Sequence, residues 1–186
     1  MADERAGRSA GVAKVPAMIH VCPMSKVDET VSRSGAAHLV TLLAAGTDFA
    51  RPAAISEQNH LCLWMNDIAE MQAGLVAPGR DHVERLLAFA WSWNRQRPLA
   101  VNCYAGISRS TAAAYIVAAA LAPERDEAEL AWTLRLAAPS ATPNPALVRH
   151  ADALLGRQGR MVAAIAAIGR GEDAYEGAPF ILPLRD

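Results

Sequence analysis

The stretch from Leu99 to Leu121 constrains this chain most: the apolar run L-A-V-N delivers Cys103 to the turn Y-A-G-I-S, and R-S then opens an unbroken apolar helix. A strand, a short loop and a helix start in that order form an anion trap. Successive backbone N–H groups of the loop can turn inward, and the helix dipole adds partial positive charge at the same place. A thiolate at Cys103 would sit beneath the bound anion, and Gly106 allows the loop a close approach or a positive φ. Arg109 offers a planar fork that grips two oxygens of a phosphate, a match that lysine lacks. The residues predicted to bind phosphate are therefore Tyr104, Ala105, Gly106, Ile107, Ser108 and Arg109.

Around this stretch, apolar runs alternate with helical patterns. Ala17–Cys22, Ala37–Leu43, His60–Met65 and Leu99–Asn102 read as strands. Ser25 with Asp28 suggests a capping box for a short helix through Ser32, closed by Gly35. Asp81–Gln96 reads as a helix with Val83, Leu86, Leu87, Ala90 and Trp91 on its apolar face and Asp81 as its cap. Three more helices are expected at Asp126–Ala137, Pro145–Leu155 (N-cap Asn144) and Arg157–Ile168, with an extended apolar stretch at 177–184. The alanine-rich helix after Ser110 is expected to lie buried against the sheet. The pattern predicts an α/β fold with a mostly parallel central sheet of about four to five strands flanked by helices, ligands lying beyond the strands' carboxyl ends.

The 186 residues suffice for one domain with a proper core, 52% being hydrophobic and 20% charged. Residues 1–15 read as a disordered arm, 16–156 as the domain, and 157–186 as a helix and tail packed on it. A net charge of −1 with interspersed signs argues against a nucleic-acid or membrane surface. Three irregularly spaced cysteines and five scattered histidines suggest neither a disulfide framework nor a metal site. No apolar run reaches the roughly 20 residues that span a bilayer, so a cytoplasmic setting with reduced thiols is expected.

Cys103, Gly106, Arg109 and Ser110, in C-Y-A-G-I-S-R-S, resemble the signature loop of the cysteine-dependent protein tyrosine phosphatases. The G-I-S-R-S run is most similar to the compact dual-specificity branch and its bacterial relatives. The resemblance extends from about Met18 to Leu155, including A-P-S-A-T-P-N-P at 138–145, which resembles the turn between the family's last two helices. It implies hydrolysis of phosphotyrosine, with phosphoserine or phosphothreonine as further substrates, through a phosphocysteine intermediate and without a cofactor. The substrate would be a phosphorylated protein or a small phosphomonoester, and the enzyme a monomer or weak homodimer. It further implies that Ser110 hydrogen-bonds the leaving thiolate and that an aspartate some thirty-odd residues before the cysteine is the general acid. Asp67 in W-M-N-D-I fills that place, with Glu70 a weaker candidate. Trp64, beside it, could line the pocket.

Asn102 departs from the pattern, since the family usually has histidine before the cysteine; the change bears on the tuning of the thiol rather than on the fold. The absence of a basic side chain among Tyr104, Ala105, Ile107 and Ser108 argues against highly charged phosphoinositides. Two other function classes fit the same residues. One is a module that holds phosphorylated partners without turning them over. The other is a sulfur-transfer or redox enzyme pairing Cys103 with Cys22 or Cys62, both of which read as structural thiols in strands.

Overall fold

The computed structural model describes residues 18–184. The N-terminal arm expected over 1–15 lies outside them. Five strands form one sheet: β1 (Met18–Pro23), β2 (His38–Leu43), β3 (His60–Trp64), β4 (Leu99–Cys103) and β5 (Phe180–Pro183). Their order is β3-β2-β4-β1-β5, with the first four parallel and β5 antiparallel to β1 at the edge. The helices are α1 (Val27–Ser34), α2 (Arg80–Ser92), α3 (Arg109–Leu121), α4 (Glu127–Ala137), α5 (Pro145–Leu154) and α6 (Arg160–Ile168).

Side chains alternate across each strand, so the two faces build two cores. Ile19, Val21, Val40, Leu42, Val101 and Cys103 join the large core under α2 to α6, while Cys22, Leu39 and Ala100 pack with Val27 and Val31 of α1. Every residue from Arg109 to Ala119 is buried, and beyond its polar first turn α3 is apolar on every face except for the Tyr115 hydroxyl, as befits a helix enclosed by sheet and helices. Its alanines keep the helix close to the strands it covers.

Three local expectations fail for identifiable reasons. Ser25 caps no helix: Met24–Lys26 forms a 3-10 turn, α1 starts at Val27 without a side-chain cap, and the Ser25 hydroxyl donates to Glu176 Oε1 at 2.8 Å. Asp81 is not the cap of α2 either. That helix starts at Arg80 after Gly79, whose N–H donates to His82 Nδ1 at 3.0 Å, and the acid lies within its first turn. Finally, α2 stops at Ser92 and Trp91 faces solvent, 59% exposed. Trp93 takes the core position instead, because the chain turns extended there and lets its indole N–H donate to the Arg97 carbonyl at 2.9 Å.

Beyond α5 the chain wraps the domain. Glu127, at the start of α4, is buried and receives Arg157 and Arg160, each at 3.2 Å. Asp152 accepts the N–H groups of Gly159 and Met161, which fixes the start of α6. Arg135 then bonds the Ile168 and Gly169 carbonyls, Glu172 N–H donates to the Pro139 carbonyl, and the chain returns to pair β5 with β1.

Candidate active site

β4 ends at Cys103 and α3 begins at Arg109, so the intervening turn lies at the carboxyl end of the sheet. Four of its five carbonyls are tied outward. Tyr104 O accepts from Met24 N–H (3.1 Å), Ala105 O from Gly177 N–H (2.8 Å), Ile107 O from Thr142 N–H (2.9 Å) and Ser108 O from Asn144 N–H (3.3 Å). Thr111 Oγ1 adds bonds to the last two carbonyls. In a planar trans peptide the N–H points opposite to the C=O, so the N–H groups of Ala105, Gly106, Ser108 and Arg109 are turned to the inside of the loop. Among the described residues, none of the N–H groups of Tyr104–Ser108 donates to a protein acceptor. Inward donors of this kind form an anion nest.

Gly106 is required twice over. Its φ is +70°, and a Cβ would lie 2.7 Å from Pro23 N and 3.0 Å from the Cys22 carbonyl carbon, both in the backbone of β1. The turn can therefore lie flat on the end of its neighbouring strand.

Inside the turn, Cys103 Sγ is 3.1 Å from Ser110 Oγ, and both residues are buried. Arg109 is buried as well. Its Nη1 donates to the Met65 carbonyl at 2.7 Å, whereas Nε has no hydrogen-bond partner and lies 3.9 Å from Asp67 Oδ2. One edge of the guanidinium is thus anchored to the end of β3, and the buried Nε–H is left for a ligand oxygen.

Asp67 stands over the loop, its Oδ1 accepting from Ser108 Oγ at 2.7 Å and from Asn144 Nδ2 at 2.9 Å. Its side chain is 38% exposed. Glu70 is 83% exposed and faces Arg149, so it is not brought to the thiol. A cavity of about 340 Å³ opens beside the loop, where Asp67, Ile107, Ser108 and Asn144 meet Arg170 and Glu172 from the C-terminal wrap.

Asn102 sits on the other face of β4 from Cys103, fully buried. Its Oδ1 accepts from Thr41 Oγ1 at 2.8 Å, and that hydroxyl lies 3.0 Å from His60 Nε2. Its Nδ2 is buried without a partner. Burial holds the His60 imidazole below its ordinary pKa, and the Arg51 charge pushes the same way. Asn102 therefore reaches the thiol only through the backbone.

The other two thiols lie on the opposite face of the sheet from Cys103. Cys22 belongs to the α1 core, and Cys62 lies 3.3 Å from His60 Nε2. Burial pushes Cys22 up to about 11, opposed by a hydrogen bond from Thr30 and reinforced by the charge of Cys103. Among the described residues, no group of three or more His, Cys, Asp or Glu is placed to hold a metal, and no helix is long and apolar enough to cross a membrane.

Several contacts had no sequence signal strong enough to read. The residues that tie the loop's carbonyls outward come from distant parts of the chain, and Gly177 sits in a stretch that reads only as extended. Asn144 was legible as a helix cap, which it is, accepting from Ala146 and Leu147 N–H. Its second contact, to Asp67, was not.

No family model and no curated protein matches the sequence. Solved structures are similar in fold. The crystal structure of DUSP15 aligns with a TM-score of 0.57 at 15% identity, covering 84% of this chain and 93% of that one. A mouse putative dual specificity phosphatase, solved in complex with zinc tungstate, aligns with a TM-score of 0.57 at 16% identity, covering 85% and 96%. The five-stranded, mostly parallel sheet with its six helices is thus the fold seen in dual specificity phosphatase structures.

Proposed function

We propose that the protein is a cysteine-dependent phosphomonoester hydrolase that acts on phosphotyrosine and secondarily on phosphoserine or phosphothreonine. The observation that carries this reading is the inward-facing set of donors: loop amides and the unpartnered Arg109 Nε around a buried cysteine bonded to Ser110. Such a nest matches a phosphate dianion and stabilises the charge that spreads over its equatorial oxygens during transfer. The fold it shares with phosphatase structures agrees with this, as does the mouse protein's complex with tungstate, an oxyanion of similar shape.

The proposed chemistry assigns each of these residues a step. Cys103 thiolate attacks phosphorus, the bond from phosphorus to the substrate oxygen breaks, and Asp67 gives its proton to the departing oxygen. Water then attacks the phosphocysteine, yielding a proton to the Asp67 carboxylate, and the phosphorus–sulfur bond breaks. Ser110 Oγ, 3.1 Å from the sulfur, donates a hydrogen bond to the departing thiolate. The leaving group enters from the cavity beside Asp67, and the substrate is a phosphorylated protein or a small phosphomonoester met in the cytoplasm.

Phosphate release from p-nitrophenyl phosphate tests the reading. The wild type should turn over, Cys103→Ser should not, and inorganic phosphate should inhibit competitively. A wild type that binds phosphate without turnover would make the protein a binding module. Full activity in Cys103→Ser would refute the covalent mechanism.

A further inference from the structure

The residue that joins the two halves of this site is Asn144, which is 3% exposed and has every polar atom of its side chain engaged. Its Oδ1 accepts the N–H groups of Ala146 (3.0 Å) and Leu147 (3.2 Å) at the start of α5. Its Nδ2 donates to Asp67 Oδ1 at 2.9 Å and to the Ile68 carbonyl at 3.2 Å. Its own backbone N–H donates to Ser108 O in the phosphate-binding turn. The reverse amide orientation would aim the NH2 group at two N–H donors and the oxygen at a carboxylate. The helix cap therefore fixes which end of the side chain faces Asp67.

Resting on the assignment of Asp67 as general acid, we propose that Asn144 is a positioning residue that selects which Asp67 oxygen carries the catalytic proton. Oδ1 already accepts from Asn144 Nδ2 and from Ser108 Oγ; a hydroxyl there would confront the amide NH2, which cannot accept, and would force the Ser108 hydroxyl to turn round. The proton belongs on Oδ2, the oxygen 3.9 Å from Arg109 Nε and hence on the phosphate side of the carboxyl. The bond to the Ile68 carbonyl holds the backbone of the acid loop, and the carboxyl cannot rotate without breaking the bonds that Oδ1 accepts from Asn144 and Ser108. Asn144 acts through Asp67 and touches no substrate.

The test compares two esters in Asn144→Ser and Asn144→Asp, both of which keep an oxygen to cap α5 and remove the Nδ2 donor. For phosphotyrosine, whose leaving oxygen needs a proton, kcat should fall about 10- to 100-fold; for 2,4-dinitrophenyl phosphate, whose leaving group needs none, it should change by less than about threefold. Inhibition by inorganic phosphate should stay within about twofold, since the loop amides and Arg109 are untouched. Equal losses on both esters together with weaker phosphate inhibition would show that Asn144 only props the phosphate-binding turn, and would overturn the proposal. Asp67→Asn measured beside them separates the two levels. If it is not selective for the poor leaving group, the acid assignment and this inference fall together. If it is selective and Asn144→Ser is not, this inference alone falls. Thermal melts of both variants confirm that the comparison is made on folded protein.

Discussion

Arg109 Nη1 donates to the main-chain carbonyl of Met65 at 2.7 Å, which spends one edge of the guanidinium on the end of β3 and aims the rest into the anion loop. Lysine at 109 keeps a charge but must choose between that carbonyl and the ligand. Arg109→Lys should therefore lose at least about 100-fold in kcat/KM on p-nitrophenyl phosphate, the scale for removing one preorganised donor. Circular dichroism should show an unchanged fold. Turnover near that of the wild type would mean that the fork is not what holds phosphate.

Gly106→Ala should damage stability and site together. The alanine meets a φ of +70° and puts a Cβ 2.7 Å from the Pro23 nitrogen, so either the turn or the end of β1 must move. A cost of about 1–3 kcal/mol in denaturant unfolding is expected, with phosphate inhibition weakened in parallel. A variant that binds inorganic phosphate as tightly as the wild type would show that the turn tolerates the shift.

The buried Glu127 should report on pH. Burial pushes its carboxyl up, but the hydrogen bonds from Arg160 and the charges of Arg160 and Arg157 outweigh that and hold it below the usual carboxylate range. A group lowered in the folded state contributes stability above its unfolded value, near 4.3, and loses it as pH falls through the folded value. Glu127→Ala removes the shared partner of Arg157, which keeps the Pro123 and Ala119 carbonyls, and of the half-exposed Arg160, and should cost about 1–3 kcal/mol at pH 7. The difference from wild type should shrink when melts are repeated near pH 3; a constant difference would place the effect in packing instead.

Cys22 should be inert in the native protein. With its thiol pushed up to about 11 and its side chain in the α1 core, it should resist iodoacetamide at pH 8 until denaturant is added, as followed by peptide mass spectrometry. Rapid native-state labelling of Cys22 would contradict its burial.

How far the sequence disclosed this molecule depends on the range of each interaction. The strand–turn–helix around Cys103 is written locally: an apolar run, a glycine that allows a close approach or a positive φ, and an arginine and serine at the helix start, all within 12 residues. Asn144 and Pro145 marked the start of α5 for the same reason. The failures lie where a side chain had a choice that only tertiary structure decides. Ser25 could cap a helix or reach Glu176, and Trp91 and Trp93 competed for one core position that the end of α2 awarded to the second. Ser108 reads as part of the phosphate-binding turn and Asn144 as a helix cap, and neither sequence position hints that both hold Asp67, which lies 41 and 77 residues away.

Pairing β5 with β1 also has a consequence for synthesis. About 160 residues separate the two strands, and β1 lies between β4 and β5 in the sheet. At a ribosomal rate of about 5–20 residues per second, β1 waits roughly ten to thirty seconds for its outer neighbour. Gly177, which bonds the Ala105 carbonyl, emerges just before that neighbour. Once β4 has been made and has paired with β1, the nascent chain carries an open sheet edge and an unfinished anion loop for the rest of that interval, exposed to pairing with other chains. Slowing elongation across residues 100–180 should therefore raise the aggregated fraction, and catalytic competence should arrive only as the last strand docks.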